Sequence, residues 1–406
     1  MKNGIARGRR TWFAMIVAAV CVSVASVGTV SVAAAGASGT SGKGTLEKTI
    51  TQALGTPYPA SKLPSVMKQA LTTASKPLTK AQLNKAYACW KATSCTLGKG
   101  KLVLGQADGN DINTWRAFAK MNAILQALEY PQIGKYIFTN AQGDLSTFES
   151  NIRELVAEGA KMIVAYNTFG SAAYPAFEAA QRDGAFISTY VGPATTAPTT
   201  AISARVQPTI CKTGKTMAKI TKKVVGNSPV AYFTGVAGNP EDAGWQKCAT
   251  KAGVNSVFNA TTTWTPAGAG KAASALIASG KPAKAILYSY STPVPNIVQA
   301  YNTAGKSVPA IITWTTNNAT VCLLQKTKFP LYITNALNWA ARVSVTATLM
   351  KEQGKKVNQA VLYPQPFVQA KVSMCTSSAP AGYPGTSALV PSTLTAKMLS
   401  ATGGTS

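Results

Sequence analysis

The chain has 406 residues, of which 46% are hydrophobic and 13% charged, a balance typical of a folded protein. Forty lysines and arginines against 13 acids give a formal net charge of +27. Because the basic residues are spread singly along the predicted helices, with no arginine-rich run, the sequence does not indicate a nucleic-acid partner. The chain contains no histidine, which excludes Ser-His-Asp and Cys-His catalytic groups.

The first 35 residues are typical of an export signal. Basic residues, among them Arg9 and Arg10, precede an apolar stretch that ends in small residues near Ala35. We expect cleavage there and an extracytoplasmic, soluble product, with an uncleaved membrane anchor as the alternative. Residues 36–44 are predicted to form a Gly/Ser/Thr linker, and residues 45–100 a helical N-terminal extension.

From Lys101 onwards, predicted strands and helices alternate. Strand KLVLGQAD precedes helix NTWRAFAKMNAILQAL, for which Asn113 is a plausible N-cap. The alternation continues to AFISTYVG, stops at a Thr/Ala/Pro-rich break over 192–201, and resumes as far as helix NWAARVSVTATLMKEQG. Two such runs predict two α/β lobes with parallel sheets covered on both faces. The Ser/Thr/Pro/Gly-rich residues 376–406 are predicted to be a flexible tail.

Six cysteines remain after the predicted signal: Cys89, Cys95, Cys211, Cys248, Cys322 and Cys375. An even number in an exported protein indicates disulfides, although the residues alone leave the pairing open. The short loop C-W-K-A-T-S-C favours Cys89–Cys95, and sequence order then suggests Cys211–Cys248 and Cys322–Cys375. With no C-x-x-C pair and no histidine, we expect no metal and no cofactor.

One pair of motifs suggests an enzyme. Ser65-Val-Met-Lys68 and Lys212-Thr213-Gly214 resemble the S-x-x-K and K-T-G boxes of serine β-lactamases and penicillin-binding proteins. No S-x-N or Y-x-N element lies between them, and K-T-G, which belongs on a strand, opens a predicted helix here. A secreted serine acyl-transferase is therefore the disfavoured alternative.

From Lys101 to about Cys375 the chain resembles the ribose- and galactose-type periplasmic binding proteins of sugar ABC transporters. The order and spacing of several stretches carry the resemblance: GNDINTWRAF after the first strand, the helix EDAGWQK, the strand-to-helix unit ending YNTAGK, and the strand PAIITWTT. The resemblance implies an α/β, two-lobed type I periplasmic-binding-protein fold with three hinge crossings. Lobe one would comprise 101–204 and 336–360, and lobe two 205–335 and 361–375.

The resemblance also implies a function without chemical conversion. A small-molecule ligand is held between the lobes, and the closed form is recognised by the permease of an ABC transporter. Contact with a membrane would arise only through permease docking or an uncleaved anchor. A ligand-sensing receptor domain without transport is the alternative.

The implied ligand-binding residues lie at the carboxyl ends of the strands, where ligands bind in open α/β sheets. They are Asn113, Trp115, Asn167, Phe169 and Tyr190 in lobe one, Glu241, Trp264, Tyr290, Trp314 and Thr315 in lobe two, and Asn335 and Asn338 at a crossing.

At three of these positions the chain departs from the family's charged groups. Tyr190-Val191 replaces an Asp-Arg pair, Glu241 an arginine and Thr315 an aspartate. We therefore expect an aromatic cleft for a sugar-like or less polar ring, or for a cation near Glu241. Trp115 and Trp264 could sandwich such a ring, and some aromatics, Trp245 above all, would fill the core instead.

Overall fold

The computed structural model describes residues 42–110, 113–191, 196–385 and 388–403. The predicted signal peptide and most of the predicted linker lie outside these residues. Among the helices within them, none combines the length and hydropathy needed to cross a bilayer.

The N-terminal segment packs on the first of two sheets. It contains α1 (Gly42–Leu54), α2 (Ser65–Ala74), α3 (Lys80–Lys91) and the short strand β1 (Ser94–Thr96). Helix α3 begins at a capping box, in which Thr79 and Gln82 satisfy each other's backbone N–H groups. Apolar side chains of α1 and α2 are fully buried in the core of this lobe, so the segment is an integral layer of it.

The first sheet has seven strands in the order β1-β3-β2-β4-β5-β6-β12, parallel except for the β1–β3 pair. Its remaining strands are β2 (Leu102–Asp108), β3 (Ile133–Asn140), β4 (Ala160–Tyr166), β5 (Phe186–Tyr190), β6 (Ala204–Pro208) and β12 (Ala360–Tyr363). Helices α4 (Thr114–Leu128) and α12 (Ala340–Glu352) cover one face, and α5 (Leu145–Ala157) and α6 (Tyr174–Arg182) cover the other. Burial on both faces explains why the central strands read as continuous apolar runs.

The second sheet has six strands in the order β13-β11-β10-β9-β7-β8. These are β7 (Val230–Thr234), β8 (Ser256–Thr261), β9 (Ala285–Tyr288), β10 (Ala310–Thr313), β11 (Leu331–Ile333) and β13 (Val368–Gln369). Helices α7 (Ile210–Val225) and α8 (Pro240–Lys251) cover one face, and α9 (Pro266–Ala278) and α10 (Val294–Thr303) the other. The short helix α11 (Asn318–Cys322) follows β10. The two sheets with their helices form the type I fold predicted from the sequence.

The lobe boundaries predicted after residues 204 and 360 are wrong by most of a strand. Both β6 and β12 pair within the first sheet, so the chain crosses only after Pro208 and again after Tyr363. The third crossing lies between β11 and α12. Strand β6 was missed because Arg205 and Gln207 interrupt its apolar residues, leaving an alternating pattern on a strand of only five residues.

The predicted flexible tail is instead an ordered strap, which we define as residues 376–385 and 388–403. It ends in α13 (Ser392–Ala401), which buries Leu394, Met398 and Leu399 in the core of the first lobe. Those apolar residues have helical spacing, a signal that the surrounding Ser, Thr, Pro and Gly residues obscured.

The strap forms hydrogen bonds with both lobes. On the second lobe, Asn318 Nδ2 donates to the carbonyl oxygens of Thr376 and Ala379, each at 2.9 Å. On the first lobe, Asn122 Nδ2 donates to Ala388 O at 2.9 Å, and Arg342 Nη2 donates to a neighbouring carbonyl. The strap therefore runs from one lobe to the other, and it lies beside the crossing between β11 and α12.

All three predicted disulfides are present: Cys89–Cys95, Cys211–Cys248 and Cys322–Cys375. The first joins α3 to β1, and the third joins α11 to the residue that immediately precedes the strap. Each therefore connects neighbouring elements within one lobe.

Replacing Cys89 and Cys95 together with serine should lower the free energy of unfolding by about 2 kcal/mol. The disulfide closes a loop with a sequence separation of 6, and its removal restores only the modest chain entropy of so short a loop. A urea denaturation curve measures the loss, with the exposed neighbour Ser94→Ala as the control. An unchanged midpoint in the double variant would show that the loop is held by its other contacts.

Candidate functional site

A cleft of about 390 Å³ lies at the carboxyl ends of the strands, with walls from both lobes and from one crossing. From the first lobe it receives residues that follow β2 and β5 and the last residue of β4, and from the second lobe residues that follow β7, β8, β9 and β10. Of the residues predicted for the site, it brings together Asn113, Trp115, Glu241, Trp264, Tyr290, Trp314 and Thr315.

Trp115 forms part of the first-lobe wall and is held by a crossing segment. Its indole Nε1 donates to Ala336 O at 2.6 Å, and its ring centroid lies 5.8 Å from that of Tyr166. Asn113 caps the helix that carries it: its Oδ1 accepts from the backbone N–H of Arg116 at 3.0 Å, as its predicted N-cap role requires. A change at the crossing would therefore move Trp115 with it.

The sequence analysis missed Arg116, the one arginine that lines the cleft within the described residues. Its guanidinium forms an ion pair with Asp108 at the end of β2 and lies over the Tyr166 ring, 3.9 Å from its centroid. Burial raises the pKa of Asp108 to about 6, and the charge of Arg116 opposes that rise. The sequence does contain a signal for this pair: Asp108 ends a predicted strand, and Arg116 lies in the first turn of the helix that follows.

In the second lobe, Trp264 is fixed by local contacts on several sides. Its φ of 54° lies in the left-handed region, which is rare for a bulky residue. The backbone N–H donates to Thr262 Oγ1 at 3.1 Å, and the indole Nε1 donates to Ser289 Oγ at 3.1 Å. The ring lies directly against Gly235, where a Cβ atom would overlap it. The side chain is therefore held in one orientation at the cleft.

The residues after β9 and β10 form the remaining second-lobe wall. Tyr290 shares a hydrogen bond with Thr292, and burial raises the pKa of its hydroxyl. Thr315, at a φ of 58°, has its Oγ1 2.9 Å from Ser291 Oγ. Trp314 is only 3% exposed and donates to a methionine sulfur, so most of it belongs to the core.

Two adjacent acids at the start of α8 have different environments. Asp242 accepts from the backbone N–H of Gly235 and from the indole N–H of Trp245, both at 2.8 Å, and is therefore structural. Glu241 lines the cleft, and its Oε1 is buried without a hydrogen-bond partner among the described residues. Burial, with a smaller effect from Asp242, raises the pKa of Glu241 to about 8. Trp245 is fully buried, as expected for a core residue.

The cleft does not include five of the predicted residues: Asn167, Phe169, Tyr190, Asn335 and Asn338. Asn167 organises its own turn, donating to Gly170 O at 2.9 Å and accepting from the N–H of Phe169 at 3.0 Å. Phe169 packs towards α5 in the core of the first lobe. Tyr190 is fully buried behind Tyr166, and its hydroxyl accepts from Gln106 Nε2 at 2.9 Å.

The two asparagines at the crossing also lie outside this cleft. Asn335 Oδ1 accepts from Leu337 N and from Trp339 Nε1, each at 3.0 Å, so its carbonyl shapes the entry into α12. Asn338 is 1% exposed, and neither of its amide atoms has a partner among the described residues. It faces a separate cavity of about 20 Å³, room for one water molecule.

Comparison with known families agrees with this architecture. A family model described as a periplasmic binding protein domain matches residues 108–356. This chain belongs to the periplasmic binding protein domain family. The match covers most of both lobes, whereas helices α1 to α3, strands β12 and β13 and the strap lie outside it. No curated protein matches the chain by sequence.

Solved structures of periplasmic binding proteins share the fold. A glucose-galactose binding protein from Geobacillus stearothermophilus is 14% identical with a TM-score of 0.59, covering 67% of this chain and 98% of that one. An ABC transporter solute-binding protein from Actinobacillus succinogenes with bound D-allose is 14% identical with a TM-score of 0.58, covering 68% and 99%. The fructose-binding periplasmic domain of a hybrid two-component system is 13% identical with a TM-score of 0.58, covering 66% and 90%. At this identity the likeness establishes the fold.

Proposed function

We propose that this protein is an extracytoplasmic solute-binding protein, which captures a small ring-bearing molecule between its lobes and delivers it to the permease of an ABC transporter. The observation that carries the proposal is the cleft itself. Aromatic and polar side chains from both sheets, among them Trp115 and Trp264, converge on one cavity at the strand ends. The relatives crystallised with a sugar bound support the proposal by analogy.

A ligand that binds between the two lobes can stabilise the closed form of the protein. A ligand favours the closed state only if it contacts both lobes, because only such contacts differ between the open and closed forms. The cleft supplies Trp115, Arg116 and Tyr166 from the first lobe and Trp264 and Tyr290 from the second. Rings stack on the apolar face of a sugar or aromatic ligand, and Arg116 is available for its hydroxyl groups.

We assign no catalytic step to the cleft. The sequence has no histidine to act as a general base. The acyl-transferase alternative is weakened because Lys212-Thr213-Gly214 lies in helix α7, where that motif would need a strand, while Ser65 and Lys68 lie in α2 on the other lobe.

A thermal-shift screen over sugars, polyols, aromatic acids and amines tests binding directly. A ligand that binds only the folded protein should stabilise it by about 4 kcal/mol at a thousand times its Kd. If no member of the screen shifts the melting temperature at millimolar concentration, the proposed function is contradicted.

With a ligand in hand, Trp264→Ala and Tyr290→Ala should each weaken its affinity by about tenfold, the loss of one aromatic contact. Isothermal titration calorimetry gives the Kd, and Tyr332→Ala, a half-buried second-lobe tyrosine outside the cleft, is the control. Unchanged affinity in both cleft variants would show that the ligand binds elsewhere.

A sensor is the second candidate, because the fructose-binding domain of a two-component system has the same fold. The two roles differ in what recognises the closed form. Stimulation of a reconstituted ABC permease by the loaded protein supports transport, whereas its absence, with ligand binding intact, supports sensing.

A further inference from the structure

We propose that the ligand of this cleft carries a positively charged amine, which pairs with Glu241 while the surrounding aromatic rings cover it. The inference rests on the proposed function and adds to it the chemical class of the solute.

Glu241 lacks a cation although the chain has a large excess of them. Among the described residues the ion pairs are Arg116–Asp108 and Lys135–Glu158, and Oε1 of Glu241 is buried with no hydrogen-bond partner. Most acids of the chain also lack an ion pair, but among the described residues Glu241 is the one acid with a buried carboxylate oxygen that has no hydrogen-bond partner. A buried carboxylate is costly unless it is paired, and Glu241 is one of the residues that line the cleft.

The residues around Glu241 are better suited to binding a cation than to binding a neutral hydroxyl group. Trp115, Tyr166, Trp264 and Tyr290 line the same cavity, and aromatic faces attract cations through their negative quadrupoles. The one positive charge in the cleft within the described residues, Arg116, already lies on Tyr166 and is balanced by its own aspartate. An ammonium group at Glu241 would therefore face no uncompensated positive charge.

The groups around Glu241 also predict how binding depends on pH. They are Asp242 and Tyr290 from its own lobe, Tyr166 and Tyr363 from the first lobe, and the Arg116–Asp108 pair across the cleft. Burial raises the pKa of Glu241 from 4.5 to about 8, so the free carboxyl is protonated at neutral pH. An ammonium ion requires the ionised form, and its affinity should therefore rise with pH up to about 8.

In the ligand-free protein, Glu241 makes the stability of the fold decrease as pH rises, whereas the affinity for an amine increases. A raised folded pKa means that the folded state holds the proton more tightly than the unfolded state between pH 4.5 and about 8. The resulting stabilisation is present below that window and is lost as pH rises through it. The melting temperature of the wild-type protein should fall across the window relative to that of Glu241→Gln.

The test uses pairs of probes that differ in charge but little in shape: D-glucosamine with D-glucose, 2-phenylethylamine with 2-phenylethanol, and choline with 3,3-dimethylbutanol. Calorimetry on the purified protein should show that an amine binds at least about tenfold more tightly than its neutral partner. The affinities of 2-phenylethylamine and choline, which both keep their positive charge over this range, should rise on the order of tenfold between about pH 6.5 and 8.5. Both effects should disappear in Glu241→Gln and persist in Glu154→Gln, an exposed glutamate on α5.

The outcomes separate this inference from the proposed function. If neutral probes bind as tightly as amines, or if Glu241→Gln keeps the preference for amines, the inference is overturned while solute binding stands. If no probe binds and no compound of the thermal-shift screen binds either, the proposed function itself is contradicted. A melting temperature with the same pH dependence in the wild type and Glu241→Gln would also overturn the inference, because Glu241 would then not be an unpaired buried acid.

Discussion

Replacing Gly235 with alanine should reduce ligand affinity by about 100-fold, or about 2.7 kcal/mol, while leaving the protein folded. The new Cβ would overlap the indole ring of Trp264, which lies directly on the glycine. We expect the ring to leave its hydrogen bond to Ser289 and to move into the cavity proposed for the ligand. The loss should exceed that of Trp264→Ala, since the displaced ring also fills ligand volume. Calorimetric titration of Gly235→Ala with the ligand found by screening measures the change.

Gly270→Ala is the matched control for this experiment. Gly270 lies in helix α9, and the nearest atom to an added Cβ is 3.8 Å away, an ordinary contact. Alanine favours a helix over glycine by roughly 1 kcal/mol, so this variant should be at least as stable and bind normally. Equal affinities for the two alanine variants would show that the position of the Trp264 ring does not control binding.

Replacing Arg342 with methionine should lower the free energy of unfolding by about 3–5 kcal/mol. Arg342 is 4% exposed and donates to Asn122 Oδ1 at 2.7 Å, Gln126 Oε1 at 3.1 Å and Leu389 O at 3.0 Å. Methionine fills most of the volume but leaves three acceptors unpaired in the core. Urea denaturation followed by tryptophan fluorescence gives the change, and faster proteolysis of the strap should accompany it.

Arg153→Met is the control for the effect of removing one positive charge from the protein. Arg153 is exposed on α5, and its replacement should change the free energy of unfolding by less than about 0.5 kcal/mol. A small effect for Arg342→Met would mean that the three acceptors find other donors and that the buried guanidinium does not organise this lobe.

The alternation of strands and helices could be predicted because each central strand is buried on both faces and therefore reads as an apolar run. The same reasoning placed Trp264 and Tyr290 at the cleft, since both come shortly after strands whose carboxyl ends line it; their contact with a ligand stays a prediction. Strand β6 and helix α13 were not predicted, because in both cases local polar composition masked apolar residues that only tertiary packing brings inside.

Some site residues could not be predicted, because their place depends on which way the side chain points or on contacts with residues far away in sequence. Tyr190 ends a strand as expected, but successive side chains point to opposite faces, and this one points towards Gln106 and away from the cleft. Arg116 matters because the pairing of β2 with β4 places Asp108 beside Tyr166, a proximity of residues far apart in sequence. A position at a strand end therefore does not by itself identify a ligand contact.

The packing of α13 joins segments that are far apart in sequence into one core. Its Leu394 and Met398 pack in the same cluster as Ile50 and Met67, so the interior of the first lobe is complete only when the strap has docked. Contacts between such distant segments must close a long loop of chain before they contribute stability. We therefore expect docking of α13 to be a slow step in the folding of this lobe.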